Sequence, residues 1–201
     1  MPRIGLDQQT VLQAAADIAD EQGIEALTLA GLAKKLNIRT PSLYNHVNGL
    51  PGLRHKLAAH GLTLLYEQLV RSAVGRSGDE AIRAFGQAYL AFARAHPGLY
   101  ELTLGAPDPE APDVVQVGQK LVDLLVRIMD GYEMSEEQAL HAVRGLRSVL
   151  HGFASLERKG GFGLPLDLDD SFRLLVDAFL AGLRTMTGRD ADACKEGGDG
   201  E

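Results

Sequence analysis

A guanidinium, a hydroxyl, a phenol, an amide and an imidazole fall within eight consecutive positions, at Arg39, Ser42, Tyr44, Asn45 and His46. Such groups donate and accept toward base edges and phosphates, and on the outer side of a short helix they have the chemistry of a major-groove reader. The spacing places them on that side. Leu43 and Val47, four residues apart, share one helical face and pack inward, which turns Arg39, Pro41, Ser42, Tyr44, Asn45 and His46 outward. Thr40 reads as the N-cap of this helix and Pro41 as its first residue, where a missing N–H is harmless.

The charge around the stretch points the same way. Residues 30–60 hold five of the chain's 20 basic residues, Lys34, Lys35, Arg39, Arg54 and Lys56, and none of its 27 acidic ones. A basic window in a chain of formal net charge −7 is an electrostatic footprint for a polyanion. A solvated face accounts for scattered charge alone; the outward-polar helix is what favours nucleic acid.

The elements that position this helix follow from their signals. Thr28 is an N-cap, and Leu29, Leu32, Ala33 and Leu36 recur at helical spacing behind it. Asn37 stops that helix because it tolerates the left-handed conformation a helix end needs, and Ile38 plugs the turn. An earlier helix, capped by Asp7 and ended by Gly23, carries Val11, Leu12, Ala15, Ile18 and Ala19 as a supporting stripe. After the reader, residues 50–73 form one long helix with Leu53, Leu57, Leu64, Leu65 and Leu69 available for packing, ending near Gly75 and Gly78.

Residues 7–65 resemble the N-terminal DNA-binding domain of the TetR/AcrR family of bacterial repressors. The segment Thr40-Pro41-Ser42-Leu43-Tyr44-Asn45-His46-Val47, behind Leu32-Ala33-Lys34-Lys35-Leu36-Asn37-Ile38, carries the resemblance. It implies that Thr28 and Thr40 hold phosphates, that Arg39, Pro41, Ser42 and Asn45 face base edges, and that Tyr44 and His46 contact backbone or a thymine methyl. Leu50 stands where the family carries a phosphate-binding lysine, so that contact falls to Arg54 or Lys56. In the C-terminal half, residues 147–152 with Gly160-Gly161-Phe162 and 169–172 resemble the WHG-type effector domain, with Leu150 in place of the name-giving tryptophan.

The rest of the chain reads as helices at about 80–96, 99–104, 114–129, 135–159 and 167–187, so the expected fold is all-α. The expected division is a helix-turn-helix domain over 1–50, a shared helix over 50–73, a ligand-binding and dimerisation domain over 51–188, and a disordered tail over 189–201. The family resemblance implies a homodimeric, ligand-responsive regulator, most readily a repressor, on a palindromic operator. Tyr66, Phe85, Tyr89, Phe92, Met129 and His151 are the candidates for lining an effector pocket, against the alternative of plain core. Dimerisation is expected through the last two long helices, whose apolar surface exceeds what one small bundle uses. His141, Arg144, Ser148, His151 and Ser155 form a polar stripe that faces a pocket, a dimer contact or solvent.

Other function classes find little support. No HExxH, GxSxG or CxxC pattern occurs, and His55 and His60, five apart, do not share a helical face, so neither an enzyme, a metal site nor a cofactor is expected. Cys194 is the single cysteine and cannot form an intrachain disulfide. No apolar run approaches the roughly 20 residues a bilayer span needs, and the first residues hold no apolar signal region, so the cytoplasm is the expected location. The competing reading is a helical interaction module that never touches DNA; its binding would be indifferent to salt, unlike that of a DNA reader.

Overall fold

The computed structural model describes residues 7–105 and 111–186. The arm with Arg3, most of the loop expected at 105–112, and the tail with Cys194 lie outside the described residues. Within them every element is helical: α1 Gln8–Gln22, α2 Leu29–Lys35, α3 Gly49–Ala73, α4 Gly78–Ala95, α5 Pro97–Leu102, α6 Pro112–Met129, α7 Glu136–Arg158 and α8 Leu168–Met186, with 3₁₀ turns at Ile24–Ala26, Thr40–Asn45 and Asp130–Tyr132.

Local chemistry sets many of these boundaries. The Asp7 carboxylate accepts the Thr10 N–H at 2.6 Å and opens α1, and Thr28 Oγ1 accepts the Gly31 N–H at 3.0 Å and opens α2. Ser135 and Gln138 form a full capping box at the start of α7. Asp167 accepts the Asp170 N–H at 2.8 Å ahead of α8.

Contacts divide the chain into two compact units. Among the described residues, the first comprises 7–67 with 92–105 and 111–120, and the second comprises 68–91 with 121–186. Helix α5 packs with the N-terminal helices. The reason is close fit: a Cβ on Gly98 would lie 2.1 Å from the Ala19 carbonyl oxygen, so only glycine lets α5 approach α1 this closely. The core of this unit is Val11, Ala15, Leu27, Leu32, Leu43, Leu53, Leu57, Leu99 and Tyr100.

The second unit buries Ile82, Phe85, Met129, Leu146, Leu150, Phe153, Phe172, Val176, Leu180 and Leu183. Phe153 stands edge-on to Phe172, with ring centroids 5.0 Å apart, and Gly86 lies against Leu150, Val176 and Phe172. Leu150 is a core side chain here. One polar knot ties this unit together. Asp79 on α4 accepts a hydrogen bond from the Tyr132 hydroxyl at 2.6 Å and pairs with Arg184 of α8, while Arg83 reaches Asp177 at 2.8 Å.

Candidate nucleic-acid interface

The candidate reading element begins where α2 ends. Asn37 is left-handed at φ +51°, the Ile38 N–H bonds the Ala33 carbonyl at 3.0 Å and the Asn37 N–H bonds that of Lys34 at 3.1 Å. This pair of bonds is a Schellman motif, and it turns the chain as Asn37 was expected to. The next six residues, Thr40–Asn45, form a 3₁₀ helix and not the expected α-helix. Its cap position is Arg39, with no side-chain cap bond, so Thr40 is not the N-cap and Pro41 is the second residue. The Ser42 N–H closes a turn on the Arg39 carbonyl at 2.9 Å, the three-residue spacing of a 3₁₀ helix.

Leu43 and Val47 are buried beneath the turn, as their spacing predicts. Above them Arg39, Pro41, Tyr44 and Asn45 are exposed, Tyr44 by 59 %, while Thr40, Ser42 and His46 are half-buried.

The cations divide in a way the sequence could not reveal. Lys35 pairs with Asp17 of α1 at 3.3 Å. Arg54 donates to the Ile24 carbonyl and to Glu25, each at 3.4 Å. Lys56 donates to the His46 carbonyl at 2.8 Å. Arg54 and Lys56 thus each have a partner within the first unit. Lys34 and Arg39 are the exposed cations of the window with no ion pair to a described residue. Thr28 is exposed, but its hydroxyl oxygen already serves α2 as its cap.

The six candidate pocket residues are not gathered in one unit. Tyr66 and Phe92 belong to the first, and Phe85, Tyr89, Met129 and His151 to the second. Phe85, Tyr89, Phe92 and Met129 are buried and Tyr66 and His151 half-buried. Burial, with the cations of Arg147, Lys159 and Arg158 nearby, lowers the His151 pKa from its ordinary value. Along the polar stripe of α7, His141, Arg144 and Ser148 are exposed, and His141 lies 3.8 Å from Glu137.

Two structural groupings were missed from sequence. His96-Pro97-Gly98 reads only as a helix break, yet His96 Nδ1 lies 2.9 Å from Asp20 of α1. Asp79, Tyr132 and Arg184 give no joint signal, since they lie on three separate elements.

Among known proteins, the family described as "Tetracyclin repressor-like, C-terminal domain" matches residues 82–179. An uncharacterized HTH-type transcriptional regulator of Bacillus subtilis (strain 168), YobS, is 43 % identical over 90 % of this chain and 95 % of its own length. A second, Rv0681 of Mycobacterium tuberculosis (strain H37Rv), is 31 % identical over 90 % of this chain and 84 % of its own. In fold, the chain resembles a TetR variant of Acinetobacter baumannii AYE solved in complex with minocycline, at a TM-score of 0.70 and 21 % identity over 90 % of this chain and 98 % of that one. No helix of the described residues is long and apolar enough to cross a membrane. With a relative 43 % identical along nearly its whole length and a family match over its C-terminal region, the chain belongs to the TetR family and is a DNA-binding transcriptional regulator, not an enzyme.

Proposed function

We propose that the protein is a homodimeric repressor that binds a palindromic operator and is released by a small molecule. The observation that carries the reading is the exposed surface of Arg39, Pro41, Tyr44 and Asn45, held rigid by buried Leu43 and Val47. Inserted in a major groove, Arg39, Pro41, Ser42 and Asn45 face base edges, and Tyr44 and His46 meet the backbone or a thymine methyl. Thr28, Thr40 and the exposed ammonium of Lys34 lie toward phosphates. Two such heads related by a two-fold axis require half-sites about one helical turn apart or somewhat more.

Dimerisation is supported by what α7 and α8 leave uncovered. Leu140 and Leu156 on α7, and Leu174 and Met186 on α8, are exposed in the single chain. Large apolar side chains spread along two adjacent helices are disfavoured in water, and a second copy would cover them symmetrically.

The effector is a small molecule taken by the C-terminal domain, with Phe85, Tyr89, Met129 and His151, all of the second unit, as the candidate contacts. Release requires that the effector bind better to the state whose heads no longer fit the operator. The minocycline-bound neighbour supports a ligand site in this fold, without naming the ligand here. Acting on the chromosome places the protein in the cytoplasm, and the mechanism calls for no cofactor.

The test is selection from a randomised duplex pool across a salt series, with wild type, Tyr44→Ala and Arg39→Ala in parallel. A palindrome that enriches, weakens as salt rises and is lost with Tyr44→Ala supports the reading. Absence of enrichment at low salt leaves a helical interaction module instead.

A further inference from the structure

We propose that Lys56 is a positioning residue for DNA reading: it holds Thr40–Asn45 in place through the His46 carbonyl and does not touch DNA. The assignment rests on Thr40–Asn45 being the DNA-reading element proposed for this chain.

Three features carry it. Lys56 is half-buried, and its ammonium donates to the His46 carbonyl oxygen at 2.8 Å. His46 closes a 3₁₀ helix of only six residues, too short to satisfy its own terminal carbonyls. A cation at that end both meets an orphan acceptor and complements the negative pole of the turn. The side chain is also well anchored. Leu53 and Leu57, on the same helix as Lys56, are fully buried, so α3 presents the ammonium from a fixed backbone.

Arg54, two residues earlier, ties α3 to the Ile24–Ala26 turn through the Ile24 carbonyl and Glu25. Helix α3 thus grips the head at two points with cations that, by sequence, look like phosphate ligands. A displacement of α3 would carry the reading turn with it, because the Lys56 bond joins the two directly.

The two roles of a lysine separate by salt dependence. A phosphate ligand contributes equally to every sequence and about one unit to the slope of log affinity against log salt. A positioning lysine contributes to neither, and its loss falls on sequence discrimination.

The experiment measures binding of wild type, Lys56→Met and Lys56→Arg to the duplex recovered by selection and to a scrambled duplex of equal length, over a salt series. Lys56→Met is expected to weaken the recovered duplex by about tenfold, leave the scrambled duplex within about twofold, and leave the salt slope unchanged. Lys56→Arg, which keeps a charged donor, is expected to recover most of the loss. Equal weakening on both duplexes with a slope lower by about one unit overturns the proposal and makes Lys56 a phosphate ligand. Unchanged binding to both overturns it as well. If Lys56→Met loses helical circular dichroism, Lys56→Gln, which keeps an uncharged donor, is measured against the same criteria. Failure of wild type to enrich any duplex is a separate result, which removes the DNA-reading element and this role together.

Discussion

Asp20 and Gly98, 78 positions apart, are joined where Asp20 Oδ1 accepts the Gly98 N–H at 2.9 Å. The same oxygen accepts the Leu99 N–H at 2.9 Å, and the other carboxylate oxygen meets His96 Nδ1 at 2.9 Å. A side chain of α1 thereby caps α5, whose own cap residue, His96, makes no side-chain cap bond.

Removing that cap should loosen α5. Asp20→Ala is expected to cost about 1–2 kcal/mol, the usual value of a lost N-cap, measured by denaturant unfolding. Gly98→Ala is expected to be worse, about 3 kcal/mol or more, because its Cβ would fall 2.1 Å from backbone at Ala19. A Gly98→Ala variant as stable as wild type would mean that α1 and α5 do not pack this closely.

The polar knot of the second unit should behave as a set. Burial raises the carboxyl pKa of Asp79, but hydrogen bonds from Tyr132 and Arg184 and the charges of Arg184 and Arg83 outweigh it, so the net shift is downward. Burial, then the bond to Asp79, pushes the Tyr132 hydroxyl up. Tyr132→Phe is expected to cost about 1 kcal/mol and Asp79→Ala about 2 kcal/mol, with the double variant less destabilised than the sum. Strict additivity in that cycle would remove the coupling.

Stability should fall on mild acidification. Burial, then repulsion from His96, lowers the His60 pKa, while Glu67 acts in the opposite sense. A depressed histidine pKa means that the unfolded chain takes up the proton first. Its contribution is therefore complete above the ordinary value of 6.5 and is lost as pH falls below it toward the lowered native value. His151 adds in the same direction. Unfolding midpoints from pH 7.5 to 5 should decline for wild type and decline less for His60→Gln, whose wild-type Nε2 is buried without a hydrogen-bond partner. Equal slopes for the two proteins would count against His60.

Tyr44→Ala and Arg39→Ala should separate binding from folding. Both side chains are exposed, so each variant is expected to keep its unfolding midpoint within about 0.5 kcal/mol. Each should nonetheless lose about 1–3 kcal/mol of operator affinity in a fluorescence anisotropy titration. Parallel loss of stability would show that the residues support the head instead of reading DNA.

Leu174→Glu tests the dimer. The side chain is 60 % exposed in the single chain, so the charge should be tolerated by the monomer. In a dimer joined through α8 it would be buried without a partner, which is strongly unfavourable. Sedimentation velocity is expected to show wild type as a dimer and Leu174→Glu shifted to monomer at micromolar concentration. A variant that remains fully dimeric moves the interface elsewhere.

What the sequence determined by itself was local. Caps at Asp7, Thr28 and Ser135, the left-handed stop at Asn37, and the inward pair Leu43 and Val47 depend on groups three to five residues apart, so their chemistry is complete within a short window. The helical fold and the outward Tyr44 surface follow from that window. Tertiary structure decided which cations have partners, because Lys35, Arg54 and Lys56 are held by Asp17, Glu25 and the His46 carbonyl. It also joined α5 to α1 through Asp20 and Gly98, and drew Asp79 to Arg184 across 105 positions. A charge in a sequence has no address until the fold sets its neighbours, and a glycine shows its purpose only when another backbone arrives against it.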